Sequence, residues 1–283
     1  MRRSGVVVRT TLALALVVPA FGGEASTDSA SISEKYRDLQ LPRKDGSLED
    51  GAQILREARE RLSSVEDKSM SLKMRLVDGS GGERIKTLRG YEKHDPSARK
   101  VLWIFESPLE LQGTGFLAWQ REGKSDSLWV YFPGQRRVRR VPASLRREQF
   151  QGSMFTYEDL IAVFFLDYDG AHEMVREEPC GSSKCLVVES DLEEGAFAYD
   201  RLRVWLERDH LLPQRVEFYG PELLKVMAIT KTETIDGIPS IVELEMFQPG
   251  QPGRTYVEIE KTVYNQGLRN NLFTVEHLSQ TGK

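Results

Sequence analysis

Four histidines, two cysteines and a run of arginines are the residues of this sequence whose types could do chemistry. His94, His172, His210 and His277 are scattered along the chain. His172-Glu173 begins like the helix of a zinc protease, which needs a second histidine four residues after the first, but Arg176 occupies that place. Gly152-Ser153 is not in the frame of a nucleophile elbow. Gly79-Ser80-Gly81-Gly82 lacks the Lys-Ser/Thr ending of a phosphate-binding loop and reads as a turn. No catalytic constellation emerges, so the expectation is a protein that is not an enzyme, with no cofactor and no metal site.

Cys180 and Cys185 flank Gly181-Ser182-Ser183-Lys184, between two strand-like runs. A structural zinc takes about four ligands and no histidine is near in sequence. A redox-active pair usually has two intervening residues, and here there are four. In an oxidising compartment the natural reading is a disulfide closing a hairpin.

The arginines lie in the segment WVYFPGQRRVRRVPASLRREQFQGSMFTYEDL. Arg136, Arg137, Arg139, Arg140, Arg146 and Arg147 crowd into twelve residues of a chain whose formal net charge is −4. Guanidinium groups suit phosphates and carboxylates, which they bind through two parallel hydrogen bonds. The pattern fits an anionic-headgroup or partner-docking patch, and it also fits a solvated strand whose arginines pair with the surplus of Glu and Asp. Nucleic acid is excluded as a partner by the overall acidity and by the secretory signal described below, since phosphate contacts dominate such binding.

These groups need a scaffold. Ser47-Leu48-Glu49-Asp50 reads as a capping box opening a helix, with Ile54, Leu55, Ala58, Leu62 and Val65 on one face. The period then changes. Met70, Leu72, Met74 and Leu76 alternate with Ser71, Lys73 and Arg75, as in a half-buried strand. Further strands are expected at 82–92, 99–106, 113–119, 127–132, 136–142, 171–178, 184–191, 199–208, 213–219, 223–235, 240–247 and 254–264, punctuated by turns such as Pro133-Gly134 and Asp236-Gly237. Short connections favour antiparallel pairing. Two interruptions stand out: an irregular loop and short helix over 145–166, and a helical turn in NNLFTVEHL near the C-terminus. The fold class is therefore mostly β: a long antiparallel sheet that must curl and cover one face, with helices laid across its concave side enclosing an apolar cavity.

At the N-terminus, Arg2, Arg3 and Arg9 precede the apolar run LALALVV and the small residues Ala20, Gly22, Gly23 and Ala25. This is the pattern of a cleaved secretory signal peptide, too short for a membrane span of about 20 residues. The expected organisation is a signal peptide over 1–22, a flexible leader over 23–46 and a single domain over 47–283, exported to the periplasm and not membrane-spanning once cleaved.

The Arg-rich strand followed by Gly-Ser-x-Phe-x-Tyr-Glu-Asp-Leu resembles the bacterial outer-membrane lipoprotein-sorting protein family, the LolA-like carriers. The matching residues include Tyr131, Pro133, Arg136, Arg137, Val138, Arg139, Arg140, Phe150, Gly152, Ser153, Phe155, Tyr157, Glu158, Asp159 and Leu160, with Phe105-Glu106-Ser107-Pro108 and Gly113-Thr114-Gly115 upstream. The resemblance implies an incomplete barrel with helices as a lid over a hydrophobic cavity. It also implies carriage of lipid or lipoprotein acyl chains across the periplasm, often with an inner-membrane exporter as partner, including RND-type exporters. A lipid-sensing regulator of the same fold, an accessory lipid-binding partner of an RND-type exporter and a hydrolase with an unrecognised site are the competing functions. Cavity-lining candidates are Leu72, Met74, Leu102, Ile104, Phe116, Trp119, Trp129, Tyr131, Phe155, Phe164, Phe165 and Trp205.

Overall fold

In the computed structural model the alternating segments become thirteen strands of one antiparallel sheet. They are β1 (Asp67–Val77), β2 (Glu83–Asp95), β3 (Ala98–Ser107), β4 (Gly115–Arg121), β5 (Lys124–Phe132), β6 (Arg137–Arg140), β7 (Gly170–Cys180), β8 (Ser183–Leu192), β9 (Arg201–Glu207), β10 (Pro213–Tyr219), β11 (Leu223–Ile235), β12 (Ile238–Phe247) and β13 (Arg254–Tyr264). The structure describes residues 48–282 apart from 96–97, 122–123, 164–165, 167 and 194–196. These belong to one compact unit, Pro42–Lys283. The expected signal peptide, the leader and Ser47 of the capping box lie outside the described residues.

The strand order is β6-β5-β4-β3-β2-β1-β13-β12-β11-β10-β9-β8-β7, and the sheet does not close into a barrel. Two meanders are joined where β1 pairs with β13, with Leu72 opposite Ile259 and Met74 opposite Val257. Strands that follow one another in sequence are neighbours because their connections are short. The single exception decides the architecture: β6 and β7 are consecutive in sequence but occupy opposite edges of the sheet. Residues 141–169 must therefore cross a face to get from one edge to the other. Their described residues do so as a strap of tight turns, a 3-10 turn at Phe150–Gly152 and a π-helical turn at Asp159–Val163.

The strap completes the core. One face of the sheet contributes Leu72, Leu88, Trp103, Phe116, Val204, Phe218, Met227 and Met246, and the strap lays Phe150, Phe155, Leu160 and Ile161 onto it. The Phe150 ring sits 5.9, 5.6 and 5.6 Å from those of Trp103, Phe105 and Phe116, within the range where aromatic pairs add about 0.5–1.5 kcal/mol beyond their burial.

Helix α1 (Leu48–Leu62) packs on the β7 edge. Its expected apolar face is seen: Leu55 and Ala58 are buried, with Ile54 and Leu62 against the same core. Gly51 makes the approach possible, since a Cβ there would fall 2.6 Å from the Glu173 backbone nitrogen. The C-terminal turn and helix α2 (Val275–Leu278) cover the opposite face of β3–β5, where Phe273 and Leu278 pack on Leu102, Leu117 and Tyr131. At the far edge Cys180 and Cys185 form a disulfide across the β7–β8 hairpin.

Asp159 is the strap's anchor and is 1% exposed. Its carboxylate accepts from the Thr156 amide at 2.6 Å and the Tyr199 hydroxyl at 2.9 Å, and pairs with Lys225 of β11. Breaking a buried pair by removing one charge strands the other and costs about 3–5 kcal/mol. Asp159→Asn is therefore expected to lower unfolding stability by about that amount in urea, and Asp159→Asn with Lys225→Met by clearly less. A single-variant loss below about 1 kcal/mol, the range of an exposed pair, would contradict the anchor role.

Candidate functional site: a cavity between sheet and strap

Between the core face of the sheet and the strap lies a cavity of about 380 Å³. Its floor is the alternating face of β1, Met70, Leu72 and Met74, flanked by Leu88 of β2 and by Val257 and Ile259 of β13. Ile241 and Leu244 of β12 extend the wall, and Trp103, Phe155 and Leu160 close the inner end.

The other end is an open mouth. It is framed by Leu62, Ser64 and Val65 after α1, by His210 and Leu212 at the β9–β10 turn, and by Gly237, Ile238 and Pro239 at the β11–β12 turn. Polar groups gather there. Lys68 pairs with Glu92 at 3.1 Å, strand to strand in register. Arg61 donates to the Asp209 carbonyl at 2.6 Å. Tyr264 and Ser240 share a hydrogen bond of 2.7 Å. Asp67 is buried and accepts from the Gln266 and Leu268 amides, both at 2.8 Å, tying the chain after β13 to the start of β1. The site is thus apolar inside and charged at its rim.

His94, beside Glu92, accepts from Arg99 Nε at 2.9 Å through Nε2. Burial, with the Arg99 guanidinium adding to it, pushes its imidazole down from 6.5 to about 4. The ring is neutral at neutral pH.

The structure brings Leu72, Met74 and Phe155 of the expected lining set into the cavity wall. Others fall elsewhere. Leu102, Ile104, Trp119, Trp129 and Tyr131 face the opposite side of the sheet under the C-terminal segment, where Trp119 Nε1 donates to the Phe273 carbonyl at 2.8 Å. Trp205 packs beside the disulfide. Phe116 is on the core face but stacks under Phe150 and Tyr157, away from the cavity wall. Phe164 and Phe165 lie outside the described residues. Sequence reasoning missed Met70, Leu88, Trp103, Leu212, Ile238, Ile241, Leu244, Val257 and Ile259; Met70 was already in the same alternation as Leu72 and Met74.

The motif residues build the strap rather than the cavity. Gly152 takes φ +73, a conformation that favours glycine, to make the turn. Ser153 Oγ donates to the Phe150 carbonyl at 2.7 Å and accepts from the Phe155 amide at 3.2 Å. Glu158 accepts from the Ala198 amide at 2.9 Å, and its burial pushes the carboxyl up. Tyr157 packs edge-on against Phe150.

The six arginines divide. Arg146, half-buried, and Arg147, exposed, also tether the strap, donating to the carbonyls of Asp126 and Phe197 at 2.6 and 2.7 Å. Arg136, Arg137, Arg139 and Arg140 are exposed, on β6 and the turn before it, and make no ion pair among the described residues. Arg139 donates to Gln135 at 2.7 Å.

An open curled sheet with a strap over its concave side is the LolA-like fold. Solved structures share it. A domain provisionally described as an outer membrane lipoprotein-sorting protein domain, from Vibrio parahaemolyticus, has a TM-score of 0.77 at 24% identity, over 82% of this chain and 100% of that one. A DUF1329 family protein from Desulfovibrio piger has a TM-score of 0.74 at 24% identity, over 81% and 98%. A LolA superfamily protein from Nitrosomonas europaea has a TM-score of 0.63 at 17% identity, over 80% and 98%. No curated protein matches the chain. A family model described as "-like: Uncharacterized protein" matches residues 97–280, more than half of the chain, and the chain belongs to that family.

The depressed His94 pKa makes a pH prediction. Between 6.5 and about 4 the unfolded chain binds a proton at this residue and the folded chain does not, so its contribution to stability is present above 6.5 and is lost as pH falls toward 4. Glu158, with its raised carboxyl, works in the opposite direction over part of that range. The readout is therefore the difference between the wild type and His94→Gln: the wild type should lose more stability across this window, and parallel curves would contradict the assignment.

Proposed function

We propose that the protein is a periplasmic carrier that binds an acyl chain of a lipid or lipoprotein in the cavity between sheet and strap and moves it between membranes. The observation that carries this reading is the cavity itself: an apolar interior closed at one end and a charged rim at the other, matching an amphiphile with its tail inside and its polar end outside. Burial of aliphatic chain is worth ~0.8 kcal/mol per methylene, so such a pocket binds tails without any directional chemistry. The fold shared with a lipoprotein-sorting domain and a LolA superfamily protein supports it. So do the secretory pattern of the N-terminus and the fact that, among the described residues, no helix is long and apolar enough to cross a membrane.

In this reading the exposed arginines of β6 and its turn meet an anionic partner, either headgroups or an acidic face of an inner-membrane exporter, through contacts that weaken with salt. They stand at the sheet edge, where charged side chains also guard an open strand against pairing with other chains.

The test is displacement of a fluorescent fatty-acid probe from delipidated protein. Wild-type protein should bind the probe. Ile241→Trp and Ile259→Trp, which fill the cavity from half-buried wall positions, should weaken binding about tenfold or more with little change in melting temperature. Absence of probe binding by wild-type protein, with no lipid co-purifying, would overturn the carrier reading.

A further inference from the structure

The cavity opens where β1 begins and β2 ends, at Lys68 and Glu92, and the opposite ends of these strands carry a different surface. We infer that this other end, built from the β3–β4 loop and the β5–β6 turn, docks on an anionic lipid surface, with Leu109 entering the headgroup layer and the exposed arginines of β6 and its turn pairing with lipid phosphates; this rests on the docking role given above to those arginines, and not on what the cavity holds.

Leu109 is the most exposed large apolar side chain among the described residues, at 82%. Its loop is not slack. The Leu111 amide donates to the Pro108 carbonyl at 2.9 Å, the Gln112 amide to the Leu109 carbonyl at 3.3 Å and the Gly113 amide to the Phe105 carbonyl at 2.8 Å. Leu111 packs on the core, so the turn that buries it holds Leu109 outward. Ile85 of β2 is 48% exposed at the same end, just beyond the pairing of Thr87 with Ser107 where β3 stops.

The C-terminal residues bring the arginines to this loop. Gly282 lies between the loop and the β5–β6 turn: a Cβ on Gly113 would fall 2.6 Å from Gly282 Cα, and a Cβ on Gly282 would fall 2.9 Å from Pro133 Cβ. Thr281 Oγ1 donates to the Gly113 carbonyl at 2.8 Å. Arg136 ends the turn that Pro133 begins, and Arg137 lies opposite Phe132. A leucine exposed singly is ordinary. This one stands at the same end as Arg136, Arg137, Arg139 and Arg140, all exposed and without an ion pair among the described residues, in a chain of net charge −4. Glu110 is the single acid of the loop, and the four cations outweigh it. A basic patch beside an apolar side chain is what holds a surface segment to an anionic membrane. A molecule docked by this end keeps its cavity mouth turned away from that membrane.

The experiment is flotation of delipidated protein with vesicles of phosphatidylcholine alone, or of equal parts phosphatidylcholine and phosphatidylglycerol. The wild type, Leu109→Gln, and Arg136→Gln with Arg137→Gln share one N-terminus, so that residues ahead of the domain contribute equally to each. The wild type should bind the mixed vesicles about tenfold or more tightly than the neutral ones, and less tightly as salt is added. Leu109→Gln should weaken that binding about tenfold and keep its salt dependence. The arginine double variant should weaken it about tenfold or more and flatten the salt dependence. Both should keep the wild-type melting temperature and fatty-acid probe affinity. Absence of binding to the mixed vesicles, equal binding to both kinds, or an unchanged affinity in Leu109→Gln overturns the membrane-docking inference while leaving the carrier reading in place. So does an arginine variant that self-associates but binds vesicles like the wild type, which leaves those side chains only a guard on the sheet edge. Wild-type protein that binds vesicles but not the fatty-acid probe overturns the carrier reading instead.

Discussion

The structure depends on one topological constraint: the chain must pass from β6 to β7, which are the two opposite edges of a thirteen-stranded sheet. A crossing of that length has to lie on a face, and the apolar face is where burial rewards it. The crossing segment becomes the cover of the core, and its turns are specified by Gly152, Ser153 and the acids that follow. Asp159 bears most of this arrangement, because a carboxylate so deeply buried must be satisfied, and its partners come from three separate stretches of chain. Burial pulls the Lys225 ammonium down while Asp159 pulls it up, so each charge is tolerable only through the other. Such pairs contribute little net stability compared with apolar replacements, but they fix one geometry.

Function in the proposed sense follows from incomplete covering. The strap meets the sheet closely around Phe150, whose ring packs against those of Trp103, Phe105, Phe116 and Tyr157, and stands off it over β1, β13 and β12. The gap lies where the two meanders join. Side chains there are aliphatic and flexible, among them Met70 and Met74, which adapt their shape to what they touch. The charged groups Arg61, Lys68 and Glu92 sit at the rim, where water reaches the open end.

The positions of the strands were legible in the sequence because alternation and turn residues are local signals: each of the thirteen expected segments coincides with a strand to within a few residues. The amphipathic helix and the hairpin carrying Cys180 and Cys185 were legible for the same reason. Facing was less so. On β3, β4 and β5 both surfaces are buried, the inner by the strap and the outer by Phe273 and Leu278, so alternation between apolar and polar fades. Aromatic residues such as Trp119 and Tyr131 then look like cavity residues when they are the seat of the C-terminal turn. On β8–β10 the outer surface is covered by its own long side chains: Arg203 pairs with Glu189, and Arg215 and Tyr219 reach Glu217. Trp205 belongs to that outer surface. Arg146 and Arg147 could not be separated from their four neighbours by composition, since what distinguishes them is a carbonyl far along the chain.

The central claim is that an acyl tail enters the cavity at the rim formed by α1 and the β11–β12 turn and ends against the strap. A crystal structure of the protein with a fatty acid brominated at its terminal carbon tests it directly, because bromine can be located by its anomalous scattering. The account predicts one bromine near Met74 and Phe155, with the carboxylate at the rim beside Lys68. Bromine on the outer face of β3–β5, among Trp119, Trp129 and Tyr131, or at the rim with the chain reversed, would contradict it.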